Sequence, residues 1–337
     1  LACEEVMSYL NGALQGKKVV VTGATGFIGG RLAQRLAAEE GAIVTGTGRD
    51  LSKVPFVQAA GVALCSVDLL DERQMRELLT GQEILFHVAG WVGKGSYEEA
   101  YRVNVMVTEN VLRQAAAAGI KRVVHLSSVG AYGPPRRDMM DEEHPVNMKQ
   151  EDVYGRSKAV GEMAARKLAA ELGLEVAIIR PAMVYGPRAY SWTLSLYRMV
   201  KKGVPVIFGK GDGHSHPVYI DNLIDGILLT AVHPNAAGEA FNFCDRPVNW
   251  HAWWGYYGKM AGRKPRRIPM WIAKVFAVLS DAFKLKLPLS RVRLKYYARK
   301  LVFPIEKARR LMGYEPRIDL DEGMRRAEDW LREEGYL

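Results

Sequence analysis

The stretch "KKVVVTGATGFIGGRL", residues 17 to 32, constrains this chain more than any other. A β-branched run, Val19 to Val21, ends at Thr22; glycines follow at 23, 26 and 29, and the pattern then turns helical. A strand that passes through a glycine turn into a helix leads, through a right-handed crossover, to a parallel neighbour, so this opening points to an α/β sheet. The same stretch makes a phosphate cradle. Glycines let a pyrophosphate approach the backbone, and the helix N-terminus offers free N–H groups and the positive end of its dipole. Gly23, Thr25, Gly26, Phe27, Ile28 and Gly29 are the expected dinucleotide contacts.

The pattern recurs. "AIVTGTG" reads as a second strand, "VALCSVD" as a third, "EILFHVAG" as a fourth, "RVVHLSS" as a fifth and "EVAIIRP" as a sixth, with helical segments such as "AYRVNVMVTENVLRQAAAAG" between them. The predicted fold class is α/β, a doubly wound parallel sheet of the Rossmann type with a smaller, discontinuous C-terminal substrate lobe. After Pro181, Gly, Pro and aromatic residues concentrate, which marks that lobe. "HPVYIDNLIDGILLTAV" returns to a strand-then-helix pattern and is expected to rejoin the main sheet. The dinucleotide-binding domain is then 17–185 with 217–245, and the substrate lobe 186–216 with 246–337; a chain of 337 residues accommodates both.

The end of strand two discriminates between cofactors. An Asp or Glu there usually holds a ribose 2′-hydroxyl, whereas a 2′-phosphate calls for a cation. Here "GTGRD" offers Gly48 and then Arg49, with Lys53 close behind, so NADP is favoured; NAD, held through Asp50, is the alternative. Asp68 and Leu69, after strand three, are expected adenine contacts, and Val88, Ala89 and Gly90 would pass their backbone along the cofactor.

"VYGRSKAVGE", 153 to 162, places Tyr154 and Lys158 one helical turn apart. A lysine ammonium favours the phenolate of a neighbouring tyrosine and is expected to pull its pKa below the usual value of about 10. The pair could move a proton; a solvated helix face is the bland alternative. Ser157 should point away from the pair, and Gly155 and Gly161 suggest close packing against a cofactor or another element.

Taken together, "TGATGFIGG", "HVAG", "LSSVGAYG", the Tyr154/Lys158 pair, "RPAMVYGP" and "HPVYIDNLIDGI" resemble the extended short-chain dehydrogenase/reductase family, from Lys17 onward. Within it the chain is similar to the branch of 3β-hydroxysteroid dehydrogenases, dihydroflavonol reductase-like enzymes and NAD-dependent epimerase/dehydratase relatives. The resemblance implies that Ser128, rather than Ser127, polarises a substrate carbonyl, and that Tyr154 exchanges a proton with it. Lys158 would also hold the nicotinamide ribose, Asn104 would support a proton relay, and Pro181 and Val184 would join the cofactor set. The implied reaction interconverts a secondary alcohol and a ketone on a hydrophobic ring-containing substrate. A nucleotide-sugar epimerase or dehydratase with tightly held NAD is the rival, for which Arg188 speaks modestly; a cofactor-sensing scaffold is the non-catalytic one.

Three cysteines, Cys3, Cys65 and Cys244, stand in no metal or redox spacing, so a disulfide framework and a metal site are not expected and a reducing cytoplasm is. The acidic "LACEEVMSYLNGALQ" is unlike a secretory signal. His214 and His216 read as loop or pocket residues rather than metal ligands, and "WHAWWGYYGKM" as a packed aromatic helix. The formal charge of +10 is concentrated: Arg263 to Arg310 holds fifteen Lys and Arg against Asp281 and Glu306. No nucleic-acid motif accompanies it, so no nucleic-acid partner is expected. From Met270 to Lys284, Ile272, Val275, Phe276, Leu279 and Phe283 recur at helical spacing, followed by Lys286, Arg291 and Arg293. Burial as core is the first expectation, and peripheral contact with an anionic membrane the second. Oligomeric state is not legible; a homodimer is allowed.

Overall fold

The computed structural model describes residues 10–93, 95–282 and 291–337. Its centre is a seven-stranded parallel sheet formed by β1 (Lys18–Thr22), β2 (Ile43–Thr47), β3 (Ala63–Cys65), β4 (Ile84–His87), β5 (Arg122–Leu126), β6 (Glu175–Pro181) and β11 (Ala240–Phe243), in the order β11-β6-β5-β4-β1-β2-β3. Every residue of β4 and β5 is buried, as central strands covered on both faces require. Helices α1 (Phe27–Ala38), α2 (Glu72–Leu79), α3 (Val107–Ala117), α4 (Val153–Leu172) and α5 (Ile220–Val232) flank the sheet. The strand order reverses at β1, so a crevice opens beyond the carboxyl ends of β1 and β4, where this sheet architecture places its ligands.

The expectation that "HPVY" would supply a strand to this sheet is corrected. Strand β10 (Pro217–Tyr219) pairs instead with β7 (Met183–Tyr185), in register Pro217↔Met183, as a separate two-stranded sheet. Pro217 lacks an N–H to donate, which suits the end of a short ladder better than the interior of a large sheet. The seventh place is taken by β11, aligned Ala240↔Ile178 through Phe243↔Pro181. Helix α5, which follows β10, does pack on β5 and β6.

Beyond Pro181 the chain makes β8 (Pro205–Phe208), β9 (His214–Ser215), β12 (Val248–Asn249) and β13 (Arg266–Ile268), paired as β8 with β13 and β9 with β12. Helix α6 (Trp250–Met260) is the aromatic segment, and it is packed: Trp253, Trp254 and Tyr257 are buried. His214 Nδ1 and His216 Nε2 both donate to the Leu301 carbonyl, at 3.0 and 2.7 Å.

Helix α7 (Met270–Ala282) departs from its first expectation. Its buried residues are Ala273 and Ala277, set against Leu294 of α8 (Arg291–Tyr297), whereas Val275, Phe276 and Leu279 are 51%, 48% and 40% exposed and Ile272 is half-buried. Two alanines let α7 lie close to its support, and the bulk that would form a core points outward. Phe283, Lys284 and Lys286 lie outside the described residues, as do the side chains of Arg291 and Arg293. No described helix is long and apolar enough to cross a membrane.

Candidate active site

The glycine cradle is built by close approach. Gly23 follows β1 with φ +75, and a Cβ there would lie 2.9 Å from the backbone of Ala89; a Cβ on Gly29 would fall 2.2 Å from the Gly23 carbonyl oxygen. Only glycine meets both demands. Gly26 caps α1 without a side chain, no acid occupies the first turn, and the N-terminal N–H groups of Phe27, Ile28 and Gly29 therefore face the crevice uncountered. Thr25 closes the turn toward β2, where a Cβ on Gly48 would meet its side chain at 2.1 Å. No carboxylate has room at position 48.

Beyond β2, Arg49 is exposed, while Asp50 Oδ1 accepts from Ser52 N at 3.3 Å and from Ser52 Oγ at 2.7 Å, capping the turn Leu51–Lys53. The side chain of Lys53 lies outside the described residues. Asp68 is exposed and accepts from Leu70 N at 3.0 Å, and the Leu69 carbonyl accepts from Asn110 at 2.8 Å. Val88, Ala89 and Gly90 leave the end of β4, with Ala89 N donating to Thr22 Oγ1 at 3.2 Å. Pro181 ends β6, and Val184 in β7 is buried. These groups gather along the carboxyl edge of the sheet and fit an extended dinucleotide.

Tyr154 and Lys158 occupy the first turns of α4, whose N-terminus is capped by Asp152, accepting from Gly155 N at 2.7 Å. Ser128 starts the turn Val129–Tyr132, its Oγ accepting from Gly130 N at 3.0 Å; a Cβ on Gly130 would meet both that Oγ, at 3.3 Å, and the Tyr154 ring, at 3.5 Å. Gly155 and Gly161 answer to packing between elements. A Cβ on Gly155 would lie 2.5 Å from the Gly130 carbonyl, and one on Gly161 would lie 2.1 Å from that of Asn104.

Lys158 is buried, and its Nζ donates to the Leu126 carbonyl at 2.8 Å; a Cβ at Gly90 would sit 3.0 Å from that ammonium, on the cofactor path. Burial lowers the Lys158 pKa to about 8, with the Glu162 carboxylate opposing the shift. The expected depression of the Tyr154 pKa is corrected: burial pushes the phenol above its ordinary value, Ser128 offsets this only in part, and Asp152 adds to it. A desolvated phenol keeps its proton at neutral pH. Because the ammonium pKa is depressed, its charge is lost as pH rises through about 8. Affinity for an anionic cofactor is therefore expected to hold from neutrality to about pH 8 and to weaken above it. A fluorescence titration across this range checks this; Lys158→Arg should flatten the profile, and a wild-type affinity unchanged well above pH 8 contradicts it.

Asn104 is buried in a π-helical turn, Arg102–Met106, which interrupts the single helix expected there. Its Oδ1 accepts from Trp91 N at 2.8 Å, and its Nδ2 donates to the Trp91 carbonyl and, at 2.9 Å, to Ser157 Oγ. Its side chain thus ties the loop after β4 to α4. Ser157 also donates to the Tyr154 carbonyl at 2.9 Å, which makes it structural, as its position off the face implies.

Two features escaped sequence reasoning. Arg180 of β6 holds Glu162 of α4 in a buried pair, Nη2–Oε1 2.5 Å and Nε–Oε2 3.0 Å; Ser127 Oγ donates to Glu162 at 2.8 Å, and Arg180 Nη1 donates to the Tyr132 hydroxyl at 2.7 Å. The signal was available: an arginine inside the apolar strand "EVAIIRP", and a glutamate one turn beyond Lys158 on its face. The second is the buried stack of His87 on His125, ring centroids 5.4 Å apart, with His87 bridging Thr22 and Thr108. Burial drives both imidazole pKa values down, His125 to about 3, so they stay neutral near Lys158.

The profile of the NAD dependent epimerase/dehydratase family matches residues 19–244. An uncharacterised protein, y4nL of Sinorhizobium fredii, is 30% identical over 96% of this chain and 97% of its own. UDP-glucose 4-epimerase of Vibrio cholerae is 31% identical over 68% and 71%, and sterol demethylase protein B of Methylococcus capsulatus is 37% identical over 50% and 52%. Among solved structures, the epimerase Mth375 of Methanothermobacter thermautotrophicus superposes with a TM-score of 0.80 over 97% of this chain and 95% of that one at 22% identity, a likeness of fold.

Proposed function

The chain belongs to the NAD-dependent epimerase/dehydratase family and is an NAD(P)-dependent oxidoreductase of the extended short-chain dehydrogenase/reductase type, and from that premise we propose that it interconverts a secondary alcohol and a ketone on a hydrophobic, ring-containing substrate of the steroid, terpenoid or flavonoid type, with NADP preferred. What supports this reading most is that Ser128 and the Tyr154 ring both crowd Gly130 while the Lys158 ammonium lies beside Gly90, at the carboxyl end of the sheet. A dinucleotide held by its pyrophosphate at the cradle would supply or take up hydride at the reacting carbon through its nicotinamide. In reduction Tyr154, a phenol that keeps its proton at neutral pH, gives that proton to the carbonyl oxygen, and Ser128 donates a hydrogen bond to that oxygen and stabilises its developing charge. Lys158 holds the ribose end of the cofactor with a charge that lasts to about pH 8. The match to a sterol demethylase component supports a polycyclic substrate.

Arg49 supports the NADP preference, because position 48 excludes a carboxylate and Asp50 is engaged with Ser52. Replacing Arg49 with Ser removes a charge-assisted contact worth about 1.5–3 kcal/mol, so NADP affinity should fall about ten- to a hundredfold while NAD affinity changes less than about twofold. Dissociation constants for both cofactors check this, and wild-type protein that binds NAD as tightly as NADP refutes the role of Arg49. The rival reading, a nucleotide-sugar epimerase, is favoured by the UDP-glucose 4-epimerase match. Arg188, which spoke for it, lies with its guanidinium 4.0 Å over the ring of Phe56. Mass spectrometry of any nucleotide that co-purifies separates the two, since tightly retained NAD belongs to the epimerase reading and freely exchanging NADP to the reductase.

A further inference from the structure

Helix α7 presents a face that catalysis does not use. Trp271, Val275, Phe276, Val278 and Leu279 are 68%, 51%, 48%, 46% and 40% exposed. At about 100° per residue they form one continuous arc opposite Ala273 and Ala277. The surroundings are cationic: from Arg246 to Ser280 the chain contains no Asp or Glu, and Arg263, Lys264, Arg266, Arg267 and Lys274 are all exposed. β13, which carries Arg266 and Arg267, ends two residues before α7. At the foot of α7 Gly209, Lys210, Arg267 and Pro269 line a shallow cavity of about 440 Å³.

We infer that this face docks the protein on an anionic lipid bilayer, with the apolar arc of α7 immersed in the headgroup boundary and the flanking cations on lipid phosphates. The charge decides the occupant. A second copy of this chain would bring like-charged cations against these, whereas anionic headgroups complement them. A helix of 13 residues extends about 20 Å, too short to span a bilayer, and its outward tryptophan is a residue type enriched at membrane interfaces. The face also adjoins the substrate side of the site. α7 packs on α8, where the Tyr296 hydroxyl donates to the Gly133 carbonyl, and just beyond it Arg299 Nη1 donates to the Pro135 carbonyl at 2.9 Å. Gly133 closes the turn that Ser128 opens. Docking stands apart from the proposed substrate, since vesicle binding needs no turnover.

Co-sedimentation of the full chain with phosphatidylcholine vesicles, with and without phosphatidylglycerol, tests it. The expected result is binding to the anionic vesicles at low salt and release at high salt, as screening shortens the reach of the cations. Trp271→Glu/Phe276→Glu should abolish binding, and Arg266→Gln/Arg267→Gln should weaken it about twenty-fivefold, roughly fivefold per charge. Unchanged NADP affinity in each variant shows that it is folded. No binding to anionic vesicles at low salt overturns docking, and equal, salt-independent binding to neutral vesicles overturns the role of the cations. A dimer seen by sedimentation velocity that is lost in the Trp271/Phe276 variant, without vesicle binding, overturns the lipid in favour of a second copy.

Discussion

Tyr154→Phe lowers turnover by about two to four orders of magnitude and leaves NADP affinity within about twofold. The substitution removes one hydroxyl from a residue whose backbone is held by a capped helix and by Ser157, so ring and helix stay in place. What disappears is the proton that the substrate oxygen needs while hydride moves. Lys158→Ala must behave differently, because that ammonium lies beside Gly90 on the cofactor path and one helical turn from the tyrosine. It should lower both turnover and NADP affinity. Equal effects of the two substitutions on the NADP dissociation constant contradict this division of labour, and stopped-flow hydride transfer alongside equilibrium titration measures it.

Arg180→Met destabilises the protein by about 3–5 kcal/mol, because it leaves the Glu162 carboxylate buried without its counter-ion. Burial pushes the Glu162 pKa up, but the hydrogen bonds and charge of Arg180, with Arg166 and Ser127, outweigh it and hold the pKa below the usual glutamate value. A depressed carboxylate contributes stability at neutral pH, which is lost as pH falls below about 4.3 and through the folded value. In wild type, therefore, denaturant midpoints should fall across that acid range. The Glu162→Leu/Arg180→Met double variant should cost less than Arg180→Met alone, since no charge stays buried. A single variant as stable as wild type refutes the account of the network, whose removal would also free Ser127 and Tyr132 at the base of the Ser128 turn.

Local patterns made most of the sheet legible. Strands β1, β4, β5 and β6 stand out as apolar runs because central parallel strands are buried on both faces and need no polar alternation, whereas β3, Ala63–Cys65 at the sheet edge, is partly exposed. β11 was not singled out: Ala240–Phe243 is four residues long with an asparagine in the middle, and nothing local distinguishes it from Pro217–Tyr219, which looked equally strand-like. Only the tertiary pairing with β6 decides between them. Tyr154 and Lys158 were legible because helical spacing alone juxtaposes them. Arg180 and Glu162 are separated by the rest of α4, a turn and most of β6, so their pairing is a property of the fold. The Tyr154 pKa escapes the sequence pattern for a related reason: the pattern reveals a neighbouring cation, but desolvation depends on everything packed around the ring. Helix α7 shows the converse limit, since periodicity disclosed an amphipathic helix while the small side chains at 273 and 277 determined which face turned inward.

The most direct test of the proposed hydride exchange at the Ser128–Tyr154–Lys158 site uses NADPH carrying deuterium at nicotinamide C4, offered with polycyclic ketones and, separately, with UDP-sugars. The account predicts that deuterium appears on the carbinol carbon of a ketone-derived alcohol, one equivalent per NADPH oxidised, and that Tyr154→Phe suppresses the transfer. Conversion of a UDP-sugar to its epimer with no net oxidation of NADPH, and no deuterium in any ketone product, would contradict it.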